Sequence, residues 1–283
     1  DGATRGAIPG GELPAARAWL LLVVIGLGFS PDRDSYCYRC LPAVVKRLKG
    51  KKPGMEIATL HSWEVTPAEG VALQRQLASR IDVRTPLTRC ELVAGADVSY
   101  NRHSPVMWAG VVVVRVADGA VVEECGAMEE ARFPYVPGLL SFREAPPLLK
   151  AFRQLQSEPD VILVDGQGLA HPRRFGLACH LGLWLNRPCA GCAKSVLCGQ
   201  FREPGKRAGS LSPLVDGDEV IGSVVRTRTG VRPVVVSAGH RIDLPSAVRV
   251  VLQTCRGYRL PEPIRQAHRH VNELRRQQGA GRR

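Results

Sequence analysis

Aromatic side chains make up only 5% of this 283-residue chain, which weighs against a nucleic-acid surface built from base-stacking platforms. No GxxxxGK[ST] loop and no internal repeat occur, so an ATP-driven function has no support. No apolar run approaches the roughly 20 residues that a membrane span needs. The strongest, Ala18–Phe29 (AWLLLVVIGLGF), is followed by Ser30-Pro31-Asp32-Arg33-Asp34 rather than by a small-residue cleavage site, and is read as neither anchor nor signal peptide. A dense cysteine framework is also missing. The nine cysteines are odd in number and scattered, with Cys179, Cys198 and Cys255 in apolar stretches, which implies a reducing, cytoplasmic environment.

What is present is basic charge and enough apolar content for a core. Hydrophobic residues reach 45%, sufficient for one domain or two. Lys and Arg outnumber Asp and Glu by 39 to 26, a formal charge of +13, so polyanions such as nucleic acid are the first partners to consider. With so few aromatics, recognition has to come from a pocket. The first methionine is Met55. Residues 1–54 are expected to be an atypical extension, either disordered or upstream sequence translated in error, and residues 55–283 the functional domain. The run Lys46-Arg47-Leu48-Lys49-Gly50-Lys51-Lys52 reads as a solvated linker.

Thr66-Pro67-Ala68-Glu69 is a capping box with proline at the first helical position, and Leu73, Leu77 and Ile81 recur at helical spacing, predicting a helix of about four turns. Three strand-like runs follow, Leu92–Tyr100, Ala109–Ala117 and Ala120–Cys125, the last two separated by the turn signal Asp118-Gly119. A helix is expected near Glu144–Gln156, a buried strand at Asp160–Asp165 and a helix near Phe175–Leu185. Strands at Glu219–Thr227 and Arg232–Ser237 then precede helices near Leu244–Cys255 and Pro261–Arg276. The fold class is therefore α/β, a mixed β-sheet flanked by helices and compatible with a ribonuclease H-like topology.

Two aspartates interrupt apolar strands: Asp97 in Leu92–Val98 and Asp165 at the end of Val161–Asp165. A carboxylate there is costly unless a cation or hydrogen-bond donors compensate it. With a glutamate nearby, such a pair makes a hard oxygen site of the kind magnesium prefers. Each residue also has a plainer reading. Asp97 could bond local amides, Asp165 could cap the turn at Gly166, and Glu144 completes a capping box with Ser141. Lys194 is either a surface lysine or a point charge for phosphate. His240 is either structural or able to orient water. His171 lies on the glycine-rich loop after Asp165, where glycines let backbone approach a ligand closely. The pairs Cys37/Cys40 and Cys189/Cys192 are too far apart in sequence for a zinc ribbon.

Together these segments resemble the endonuclease V family. Val93–Tyr100 is similar to its first aspartate motif and Pro134–Glu144 (PYVPGLLSFRE) to its wedge and glutamate motif. Asp165–Arg173 (DGQGLAHPR) is similar to its second aspartate loop, and Pro188–Ser195 to its lysine motif. Ser237–Asp243 and Arg256–Gln266 complete the set in family order; Cys192, commonly aliphatic in the family, departs from it.

The resemblance implies a ribonuclease H-like endonuclease that repairs DNA by hydrolysing the second phosphodiester bond 3′ to a deaminated base, chiefly hypoxanthine, leaving 3′-hydroxyl and 5′-phosphate ends. It implies Mg²⁺, with Mn²⁺ able to substitute, bound by Asp97, Asp165 and Glu144. Lys194 and His240 would join these as catalytic residues. Tyr135 would be the wedge that fills the gap left by a flipped base, and Leu140, Gly166 and Gly168 would line the base pocket, with His171 on the same loop. The expected partners are DNA with deaminated purines or single-stranded RNA, with no membrane, and the chain is expected to be a monomer. The rival readings are an inosine-specific endoribonuclease, a non-catalytic nucleic-acid-binding module and, third, a membrane-anchored protein held by Ala18–Phe29.

Overall fold

Thr66 starts the first helix for a local reason. Its side chain accepts from the Glu69 amide while the Glu69 carboxylate accepts from the Thr66 amide, and Pro67 fills the first helical position without wasting an N–H. The computed structural model describes residues 54–101 and 104–280 together with the strand β1 (Ser35–Tyr36). The Ala18–Phe29 run, the Cys37/Cys40 pair and the Lys46–Lys52 run lie outside the described residues. Helix α1 (Pro67–Ala78) is 12 residues long, a little over three turns, and Ile81 packs beyond its end.

β2 (Leu92–Tyr100), β3 (Val106–Arg115) and β4 (Val121–Glu130) form the expected antiparallel meander, and Gly119 takes a φ of 75° in the turn between β3 and β4. The chain then crosses through α2 (Leu140–Phe152) to β5 (Val161–Val164), which pairs in parallel with β2. A second crossover, α3 (Leu177–Leu185), leads to β6 (Cys189–Ala193), parallel to β5. β7 (Leu211–Asp216), β8 (Glu219–Val225) and β9 (Val234–His240) are antiparallel, with β9 pairing to β6. The sheet order is β1-β4-β3-β2-β5-β6-β9-β8-β7, and α4 (Leu244–Thr254) and α5 (Glu262–Ala280) close the chain.

Besides the two-residue β1, two strands carry no clear signal in sequence. β6 (CAGCA) is made of small residues and is buried on both faces, while β7 contains Pro213, which a ladder tolerates at a sheet edge. Helix α2 begins at Leu140 and not near Glu144, so Pro146 and Pro147 lie inside the helix rather than in its first turn.

The sheet has a core on each side. α2 and α3 pack Leu148, Phe152, Leu181 and Trp184 against Ala94, Val111, Ile162 and Val164. On the other face α4 and the start of α5 place Val250, Val251 and Ile264 over Val93, Val161, Leu163 and Val236. Cys189 belongs to the first core and Cys192 to the second, so the two thiols point to opposite faces and cannot form a metal knuckle. Among the described residues no helix is long and apolar enough to cross a membrane.

Helix α5 approaches the sheet unusually closely because three strand positions lack a side chain. A Cβ on Gly95 would collide with the Pro263 carbonyl and lie 2.7 Å from the Ile264 amide nitrogen. On Gly110 it would meet Val271 at 3.0 Å, and on Gly126 it would strike Leu274. Gly95→Ala is expected to push α5 off β2 and to destabilise the fold by on the order of 1–3 kcal/mol, the range for overpacking a filled core. Urea unfolding tests this, and an unchanged midpoint would contradict the close approach.

Candidate active site

Parallel pairing aligns the two aspartates. Gly95 stands opposite Leu163 and Ala96 opposite Val164, and the Asp165 amide donates to the Ala96 carbonyl, so Asp165 continues the ladder beside Asp97. Alternation along both strands turns the two side chains to the α5 face. Both are largely buried, with side-chain exposures of 11% and 12%.

Neither carboxylate is without a donor. Asp97 Oδ1 accepts from the Val98 amide at 2.9 Å, and Oδ2 accepts from His268 Nδ1 at 2.7 Å. Asp165 Oδ2 is ion-paired to Lys194 Nζ, and the amide of Gly166 bonds to the Val164 carbonyl instead of to the Asp165 side chain. The Lys194 carbonyl accepts from Arg259 at 2.6 Å, which fixes the lysine's backbone. Even so, burial and the neighbouring Asp165 charge raise the Asp97 carboxyl above its ordinary range.

Glu144 comes from α2. With the helix starting at Leu140, Ser141 is inside it and is not a cap; its hydroxyl bonds to His180 Nδ1 at 3.0 Å. Glu144 is buried, and desolvation followed by the charges of Asp97 and Asp165 pushes its carboxyl up to about 8. The structure thus gathers Asp97, Glu144, Asp165 and Lys194 into one electrostatic unit.

His240 does not join them. It is the last residue of β9 and pairs with Cys189, the first residue of β6, whereas Lys194 follows the last. Five residues of strand put them roughly 16 Å apart. His240 Nδ1 accepts from the Asp82 amide at 3.2 Å, and burial together with Arg241 lowers its pKa. The imidazole at the carboxylates belongs to His268. It was missed in sequence because nothing in α5 announces it until Gly95 lets the helix settle on β2. One helical turn then matches two strand residues, so His268 meets Asp97 and Asn272 meets Ser99 at 3.1 Å.

The remaining candidates lie around this centre. Tyr135 is 64% exposed in the segment leading into α2. Leu140, half-buried, is the first residue of that helix. Gly166 has only Leu177 near its missing side chain, at 3.5 Å, while Gly168 is a packing glycine whose amide donates to Ser237 Oγ at 2.8 Å and whose α-carbon presses on Ala238. His171 is a strut. Its Nε2 donates to the Gly138 carbonyl at 3.0 Å and its Nδ1 accepts from the Arg173 amide at 3.2 Å. Gln74 and Arg173 donate to the same Gly138 carbonyl, at 3.0 and 2.6 Å, tying the Tyr135 segment to the glycine loop.

Three buried carboxylates, with those of Asp97 and Glu144 raised in pKa, form an oxygen donor set short of positive charge, which suits a hard divalent cation. Among the described residues no three His, Cys, Asp or Glu side chains stand in a ready metal-binding arrangement, and Lys194 and His268 sit at oxygens of Asp165 and Asp97. The donors fit a metal in chemistry and charge, although not as a preformed cage.

Burial and the nearby Arg173 lower His171 to about 4, against 6.5 for a free imidazole. Because the folded value lies below the unfolded one, the stability this neutral ring contributes is complete above pH 6.5 and is lost as pH falls toward 4. His171→Gln, which keeps a donor for Gly138, is expected to flatten stability between pH 6.5 and 4 in urea titrations. An unaltered pH profile would show that the strut does not titrate.

A family profile described as Endonuclease V matches residues 75–269. The endonuclease V of Dehalococcoides mccartyi is 50% identical over 220 residues, covering 78% of this chain and 99% of that protein. The crystal structure of the enzyme from Streptomyces avermitilis superposes with a TM-score of 0.74 at 39% identity, covering 80% of this chain and 99% of that one. A Ciona intestinalis endonuclease V, solved with a 24mer DNA containing an inosine followed by a ribo-adenosine, gives a TM-score of 0.66 at 28% identity, covering 74% and 98%. The mixed sheet with its flanking helices is thus of the ribonuclease H-like type, and with half of the 220 aligned residues identical to those of a relative matched over nearly its full length, this chain belongs to the endonuclease V family.

Proposed function

We propose that the protein is a DNA repair endonuclease that recognises a deaminated purine, chiefly hypoxanthine, and hydrolyses the second phosphodiester bond on its 3′ side, leaving 3′-hydroxyl and 5′-phosphate ends. The observation that carries this reading is the aligned pair Asp97 and Asp165, buried beside Glu144 on a basic chain of an endonuclease family. Binding of inosine-containing DNA by the Ciona relative supports the choice of lesion.

Asp97, Asp165 and Glu144 would hold the cation. Mg²⁺, or Mn²⁺ in its place, would supply Lewis-acid polarisation of the phosphate and a more acidic attacking water. Lys194 Nζ, ion-paired to the Asp165 carboxylate, would offset charge on the phosphate oxygens. His268 orients Asp97 through its Nδ1–H and keeps one oxygen of that carboxylate directed. Tyr135, exposed ahead of α2, would occupy the gap left by a flipped base, an extrusion that costs a few kcal/mol and least at a mispaired base. A cytoplasmic location fits the buried thiols of Cys179, Cys189 and Cys192, none of which is in a disulfide.

Asp97→Ala and Asp165→Ala are each expected to abolish Mg²⁺-dependent nicking of a duplex with a single deoxyinosine while largely sparing binding to it. Nicking at the normal rate by either variant would remove the assignment, and faster cutting of a matched inosine RNA strand would make the protein an endoribonuclease. Tyr135→Ala is expected to narrow the affinity gap between inosine-containing and undamaged duplex by roughly tenfold, the scale of one stacking contact. Equal discrimination by wild type and variant would deny the wedge role.

A further inference from the structure

Helix α5 has two faces with different partners. Ile264, Ala267, Val271 and Leu274 are buried against the sheet. The opposite face lines an open groove of about 550 Å³ whose walls include Tyr258, Arg265, His268, Arg269, Asn272 and Arg276. Among the described residues no carboxylate lines it. Glu262 and Glu273 neutralise Arg265 and Arg269 only partly, at 2.6 and 3.6 Å along the helix, and both groups of the second pair are well exposed.

The groove is continuous with the carboxylate centre. His268 lies in its wall and bonds to Asp97, and Arg259 in its floor bonds to the carbonyl of Lys194. From Arg265 to Arg276 the helix advances about 16 Å, with cationic side chains at intervals of four and seven residues that keep them on one face. Duplex nucleic acid advances about 3.4 Å per nucleotide along its axis, so this stripe could accompany several consecutive phosphates. Tyr258 is 50% exposed with Arg265 stacked 3.3 Å from its ring centre, forming a flat cationic platform in the wall of the groove.

We propose that this groove is a backbone-binding track: it takes consecutive phosphates of the nucleic-acid strand leaving the active centre and holds them without reading sequence. The inference rests on the nuclease reading and adds to it a second surface that sets the register of the strand. Arg269 and Arg276 supply charge, and the Tyr258–Arg265 platform supports a sugar or base.

The test is fluorescence anisotropy in EDTA over a series of salt concentrations, with one labelled duplex carrying a single deoxyinosine and a matched duplex without it. Arg269→Ala with Arg276→Ala is expected to weaken binding to both duplexes by about tenfold or more and to reduce the log–log salt slope by about 1.8, the loss for two phosphate contacts. Because backbone contacts carry no sequence information, the fold-loss should be equal on the two duplexes. Tyr258→Ala should weaken binding with little change in slope. An unchanged affinity and slope in the double arginine variant, at an unchanged thermal midpoint, would overturn the track alone. A loss confined to the inosine duplex would also overturn it, since the residues would then be reading the lesion. Failure of the wild-type protein to bind either duplex would overturn the nuclease reading and the track together.

Discussion

Parallel pairing of β2 with β5 is the constraint on which the active centre depends. Strands that run the same way cannot be joined by a tight turn, so the chain must leave the sheet and return. Here the return passes through α2, and α2 carries Glu144. The same pairing sets Asp97 and Asp165 side by side on the α5 face. One topological requirement therefore supplies all three carboxylates, two through register and one through the connection that register imposes.

Gathering like charges out of water is unfavourable, and the surrounding groups show how the fold contains the cost. Lys194 answers Asp165 and His268 answers Asp97, while Glu144, deepest of the three, is left with a carboxyl that burial and its acidic neighbours push up to about 8. A core selected only for stability would replace such a cluster with apolar side chains. Its retention beside an exposed tyrosine and a cationic groove is the mark of a site built to receive charge.

Helix α5 ties these features together. Its inner face needs Gly95, Gly110 and Gly126 to come close, and that closeness lets His268 reach Asp97. Its outer face, on the opposite side of the same helix, presents arginines to solvent. A Cβ on β2 would move both the imidazole and the cationic stripe, so packing and charge on this helix are not separable.

The local rules in the sequence were enough for most of the elements. Capping at Thr66, the Asp118-Gly119 turn, the period-two runs and the apolar strand before Asp165 mark where elements lie, and the acidic residues within apolar strands mark where chemistry is to be sought. The strands lacking a signal are those made of small residues, β6, or carrying an edge proline, β7. What required the tertiary structure was company. Glu144 and Ser141 have the spacing of a capping box, and only the true start of α2 at Leu140 shows that Ser141 belongs to His180 and Glu144 to the aspartates. Sequence proximity to a buried strand favoured His240, yet β6–β9 register sends it to the far end of β6, and the docking of α5 over Gly95 brings in His268, 171 residues from Asp97. Periodicity and capping act over a few residues and can be read along the chain. Register and helix docking act between segments distant in sequence, so they decide which side chains share a site.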